Sequence, residues 1–221
     1  MTKEKLAFTL AEVLITLGII GVVAAITMPI LIGNYQKKVI QTALKKTNSE
    51  LAQAVNMLMF ENGNTLAGLC TTNKDHDCFA EKLAQQLKIN KLCHSNNSDN
   101  DNCWSYTGLF SGAKNRPHII LADGRLLQIY HTDAKCSEMI NHSQYKDKTL
   151  ICASTYVDIN GLKSPNELGK DIFAFVITNG SVIPLGSPTI TKDAYSLGKD
   201  RCESSNSRNE FCTYYYMLGL K

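Results

Sequence analysis

No cysteine precedes residue 70, and none of the eight that follow stands in a Cys-x-x-Cys pair. The first absence sets an amino-terminal stretch apart from a cysteine-bearing remainder. The second argues against zinc, the main competitor for an even set of cysteines. No long run of lysine or arginine appears, and the net charge of +3 is mild, so composition does not require a nucleic-acid partner. A phosphate-cradling glycine loop is also missing, because the one stretch that resembles it, Thr16-Leu-Gly-Ile-Ile-Gly21, lies inside an apolar run. That run lacks charge almost completely: between Phe8 and Ile32 only Glu12 is ionisable.

What is there begins with this run. As a helix, residues 8–32 would extend ~37 Å, enough to cross a bilayer. Lys3 and Lys5 precede it and Lys37 and Lys38 follow. Three readings compete. A cleaved secretory signal would have a shorter apolar core and a small-residue cleavage site behind it. A plain anchor fits the length but leaves Glu12 unexplained, since a carboxylate deep in a span is costly. A cut before the run, between Ala7 and Phe8, would create an ammonium one helical turn from Glu12 and give the acid a partner.

The stretch Ala7-Phe-Thr-Leu-Ala-Glu-Val-Leu-Ile-Thr-Leu-Gly-Ile-Ile-Gly21 resembles the cleavage and methylation motif of type IV pilins and type II secretion pseudopilins. The resemblance implies a leader, residues 1–7, removed by a prepilin peptidase, and a Phe8 whose new amino group is methylated. Glu12, the fifth mature residue, would accept the Phe8 ammonium of an adjacent subunit. Ala7 departs from the usual glycine before the cut; it is still small, so cleavage is expected, at a slower rate.

Further along, Pro29 removes a backbone donor, predicting a kink or local melting, and Gly18 and Gly21 permit close helix approach. The resemblance makes all three part of the assembly segment. Tyr35, Val39, Ala43, Leu44, Leu51, Val55, Leu58 and Met59 then recur at three- and four-residue steps, the mark of an amphipathic helix. One helix is thus expected from Phe8 to Asn62, capped near Gly63. Its part 8–32 is apolar all round, either a membrane span or a filament core; its part 33–62 is one-sided and lies on a head domain, residues 63–221.

In the head, a short helix is predicted at Asp77–Asn90, with Asp77 as its cap and Phe79, Leu83 and Leu87 on one face. Asp123-Gly124 between two apolar runs signals a hairpin. Further strands are predicted within 150–159 and 171–178, with Asn179-Gly180 as the next turn. The expected class is α+β: a long helix on about four antiparallel strands, with disulfide-bonded loops. Short loops close most easily, so the expected bridges are Cys70–Cys78, Cys93–Cys103, Cys136–Cys152 and Cys202–Cys212, formed in an oxidising compartment. The last twenty residues read as a cysteine-bracketed loop and an aromatic edge strand or short helix containing Tyr214, Tyr215 and Tyr216.

The segment Val157–Gly186 is similar to a recurrent stretch of pilin-like proteins. Asp158, Asn160 and Asp171 could supply oxygens to a calcium ion, or satisfy backbone donors in a tight connection; Gly161 falls too early for an EF-hand. No cofactor beyond that calcium is expected. His76, His94, His118, His131 and His142 are scattered, and Cys93 beside His94 would point away from it, so no enzyme is expected.

The sum of these readings is a filament subunit that sits first in a bacterial inner membrane with its head outside the cytoplasm. Its implied partners are copies of itself or other pilin-like subunits, the prepilin peptidase, inner-membrane assembly machinery and membrane lipid. A tip-located binding module, for adhesion or DNA uptake, and an anchored ectodomain that never polymerises are the alternatives.

Overall fold

The computed structural model describes residues 9–95, 115–139, 150–190, 202 and 211–219. The chain divides into two compact units, Met1–Val39 and Ile40–Lys221. Helix α1, Leu10–Glu61, contributes to both. In the first unit it is the sole described element, assigned as helix without a break through Pro29, so the melting expected there does not occur. Its end is chemical as well as geometric. Gly63 takes the left-handed conformation (φ 73°), and the Asn64 N–H donates to the Met59 carbonyl at 2.6 Å, a glycine stop of the expected kind.

The head starts with the last turns of α1. Leu44, Leu51, Ala54, Val55 and Leu58 are buried, and they join Ile119, Leu127, Val157, Phe173 and Phe175 of the sheet in one core. Helix α2 (His76–Gln85) adds Phe79, Ala80 and Leu83 to that core. The strands of the sheet are β1 (Ile89–Cys93), β2 (His118–Leu121), β3 (Leu126–Thr132), β6 (Ala153–Asp158), β7 (Ile172–Ile177) and β8 (Val182–Pro184). They run wholly antiparallel, in the order β1-β2-β3-β6-β7-β8. The two-residue strands β4 (Glu138–Met139) and β5 (Leu150–Ile151) pair separately. On the face away from α1, Tyr156, Ile172, Ala174 and Val176 pack with Leu185, Ile190 and Phe211. Both faces of β7 are therefore covered, which is why its sequence, Ile-Phe-Ala-Phe-Val-Ile, is unbroken apolar and all six residues are buried.

The strand count exceeds the expected four. Strand β1 lies where the sequence suggested the end of a helix: α2 stops at Gln85, and the Gln86 N–H donates back to the carbonyls of Leu83 and Ala84. The cap of α2 is Asp75, not Asp77; the Asp75 carboxylate accepts from the Cys78 N–H at 3.0 Å. The hairpin forms where Asp123-Gly124 predicts it, with Gly124 at φ 90° and the Leu121 N–H donating to the Arg125 carbonyl. The tail resolves to a short helix, α3 (Cys212–Leu218). Three disulfides stand among the described residues, Cys70–Cys78, Cys136–Cys152 and Cys202–Cys212, in the expected pairing. Cys93 is also disulfide-bonded; its expected partner Cys103 lies outside the described residues.

Candidate functional site: the exposed apolar helix

Among the described residues, the largest anomaly is a helix surface. Every large apolar side chain from Leu10 to Ile32 is exposed, from Val13 at 44% to Leu10 at 80%. Burying one such side chain is worth about 2 kcal/mol, so a bare cylinder of them does not persist in water. A helix apolar all round belongs in lipid or among other helices. This one is long and apolar enough to cross a membrane. Gly18 and Gly21 open onto empty space, with nothing within 4 Å of where a side chain would begin.

At the start of this surface sits Glu12, held in a reciprocal arrangement with Thr9. The Thr9 N–H and hydroxyl both donate to Glu12 Oε2 at 2.9 Å, and the Glu12 N–H donates to Thr9 Oγ1 at 3.3 Å. This is a capping box. Reading Glu12 only as an assembly residue missed it, although Thr9-Leu-Ala-Glu12 is the signature. Ala7 and Phe8 lie outside the described residues. No protein-family model, curated protein or solved structure matches this chain.

In the head, the carboxylates singled out for calcium are engaged by the chain. Asp171 accepts from the backbone N–H of Asn166 (2.8 Å) and Glu167 (2.6 Å) and from Asn160 Nδ2 (3.2 Å). Asp158 accepts from the Asn160 N–H at 3.1 Å and from Gly161. A cation would compete with those donors, so the side chains fit the role of stapling the loop, and no group of three or more His, Cys, Asp or Glu is placed for a metal among the described residues. Burial and the neighbouring Asp171 charge push the Asp158 carboxyl up to about 7 against two opposing backbone donors. Gly161 is a genuine requirement, since at φ 75° its Cβ would strike the Gly124 carbonyl oxygen of the hairpin.

A second polar cluster had no sequence signal. Arg125 is 5% exposed, and its guanidinium donates to Thr47, Glu50 and Asp123. Lys46 completes the group at 2.7 Å from Asp123. The two cations hold the Asp123 carboxyl far below the usual range despite its partial burial. An open groove of about 480 Å³ lies alongside, lined in part by Lys46, Glu50, Gln53 and Lys88.

The histidines are dispersed. His118 and His76 are buried, and desolvation lowers both to about 4. His118 Nε2 contacts Gln128, and His76 Nδ1 contacts the Thr132 hydroxyl, each at 3.0 Å. His94 stands 3.4 Å from Asp77 and 3.6 Å from Glu81, and His142 lies outside the described residues.

Proposed function

We propose that this chain is a pilin-like structural subunit, held in a membrane by the first half of α1, cut before Phe8, and polymerised through that same helix. The observation that carries the reading is the combination of an all-round apolar, exposed half-helix with a lone acid one turn from the site where an amino terminus would be created. Copies of the helix packed together would bury that surface, and the stagger of a head-to-tail contact would keep the assembly open as a fibre. The cysteine-bearing head then lies where disulfides persist, outside the cytoplasm. Whether the fibre is a pilus, a secretion pseudopilus or a DNA-uptake fibre depends on partners beyond this chain.

One observation favours a second reading, an anchored ectodomain that stays single: Glu12 already has donors within its own chain, so it does not require a neighbour. The mass of the mature amino terminus tests the first reading. A chain beginning at N-methylated Phe8 is expected; an intact Met1 in cells that express a prepilin peptidase would refute it.

A further inference from the structure

We propose that the groove between the later turns of α1 and the β2–β3 hairpin is a docking site for an extended, acidic peptide segment of a partner protein. This role is independent of whether the chain polymerises. At about 480 Å³ the groove is large enough for a specific ligand. Leu121 and Arg125, each only 5% exposed, line its inner side, so that side belongs to the packed head. Its α1 wall is formed by Lys46, Glu50 and Gln53. Met57 and Phe60 continue the same row at three- and four-residue steps, and they are 49% and 74% exposed. From Lys46 to Phe60 the row runs about 21 Å along the helix, the length of roughly six residues of extended chain. A surface that long and narrow suits a peptide and not a compact metabolite.

The charges set the sign of the occupant. The lining holds three cations, Lys46, Lys88 and Arg125, against two carboxylates. Asp123 is already matched by Arg125 and Lys46, and Glu50 by Arg125. Lys88 is exposed and has no acceptor among the described residues. An incoming carboxylate therefore finds an unspent ammonium, whereas an incoming ammonium finds only carboxylates that are paired.

Two carboxamides supply what a peptide main chain needs. Gln86 Nε2 donates to the Glu61 carboxylate at 3.0 and 3.2 Å, which fixes that amide with its nitrogen toward the acid. Gln53 Nε2 donates to Ser49 Oγ at 3.0 Å. Both amide oxygens are left to accept from peptide N–H groups. A nucleic-acid strand would set successive phosphates against Glu50 and Asp123, while a peptide can place a single carboxylate at Lys88.

The test uses full-length chains in nanodiscs of zwitterionic lipid, with empty nanodiscs as the blank. The probe is a dye-labelled, capped hexapeptide of alternating glutamate and leucine, and binding is read by fluorescence anisotropy. The glutamate peptide is expected to bind, and its glutamine and lysine counterparts to bind about ten-fold more weakly. Lys88→Glu is expected to weaken the glutamate peptide by about ten-fold, and Phe60→Ser by about five-fold. Both positions are exposed, so denaturant midpoints at the parent value will show that the variants are folded. Lys91→Glu makes the same charge change at an exposed lysine that does not line the groove, and it is expected to bind as the parent does. No binding of the glutamate peptide, equal binding of the lysine peptide, or equal losses from Lys88→Glu and Lys91→Glu overturns the proposal. Tighter binding of a single-stranded hexanucleotide, lost in Lys88→Glu, overturns it in favour of nucleic acid.

Discussion

Arg125, at the tip of the β2–β3 hairpin, reaches across to the hydroxyl of Thr47 on α1. The guanidinium is almost wholly buried while Glu50 and Asp123, its charged partners, stay partly in water. One side chain thus ties the hairpin to the helix that carries the apolar surface. Replacing Arg125 by Ala leaves two carboxylates and the Thr47 hydroxyl short of a donor, and a loss of about 2 kcal/mol is expected. Arg125→Lys should recover only part of it, since an ammonium cannot serve three acceptors through a planar fork. Denaturant unfolding of the full chain in detergent micelles measures both; equal stability of parent and Arg125→Ala would show the cluster to be decorative.

The Cys136–Cys152 bridge joins the connection between β3 and β4 to the residue between β5 and β6, beside the well-buried strand β6. Its loss by paired Ser substitution is expected to lower stability by about 3 kcal/mol. The same drop should follow mild reduction of the parent and be absent when the doubly substituted chain is reduced under conditions that spare the other bridges. Mass spectrometry of alkylated cysteines checks which bridge has opened.

How much of this was legible beforehand depended on whether a residue's role was local. The long helix, its Gly63 stop and the Asp123-Gly124 hairpin are written in periodicity and turn chemistry, which act within a few residues. Strand β1 is not: Ile-Asn-Lys-Leu-Cys at a sheet edge has its first three residues exposed, so it shows neither alternation nor an apolar run. Arg125 and Thr47 stand 78 positions apart, and nothing in either neighbourhood announces the other. The oxygens of Asp171 are visible in the sequence, but the backbone donors that occupy them exist only once the loop is folded. The Thr9–Glu12 box is fully local and legible as Thr9-x-x-Glu12, but a lone charge in an apolar run points to assembly as readily as to capping.

The buried histidines give the head an acid limit. His118 and His76 stay neutral in the fold down to about pH 4, while in the unfolded chain they take protons near 6.5. The unfolded state therefore binds more protons between those values, and stability falls as pH drops through the window from 6.5 to 4. His118 alone, 1% exposed, accounts for up to about 3 kcal/mol of that loss. His118→Gln should flatten the slope of stability against pH in this window, even if it lowers the plateau above it. An unchanged slope would mean the ring is not desolvated as described.

Asp158 works in the opposite direction. Its folded value near 7 exceeds the ordinary 3.8, so the folded state holds the extra proton, and its stabilisation is complete below about 3.8 and disappears as pH rises through 7. Asn at this position keeps an oxygen for the Asn160 and Gly161 donors but cannot ionise beside Asp171. Asp158→Asn is therefore expected to gain on the parent as pH rises from 4 to 8. Unfolding titrations at the two ends check it, and a constant difference between the chains would count against the buried-carboxyl account.

Glu12→Gln is the variant that divides assembly from anchoring. Glutamine retains the acceptor that Thr9 requires, so helix start, insertion and leader removal should all proceed as in the parent. It removes the negative charge, and with it any attraction for the Phe8 ammonium of a neighbour in the dry interior of a bundle, where such a pair would be strong and an unpaired ammonium expensive. In a polymerising subunit, Glu12→Gln chains should accumulate in the membrane fully processed and be missing from sheared filaments. In an anchored ectodomain, parent and variant should behave alike, both processed or both intact, and neither found in a fibre. Processing and filament recovery must be measured on the same cells, because only a processed yet unassembled chain places the defect at the charge and not at the cap.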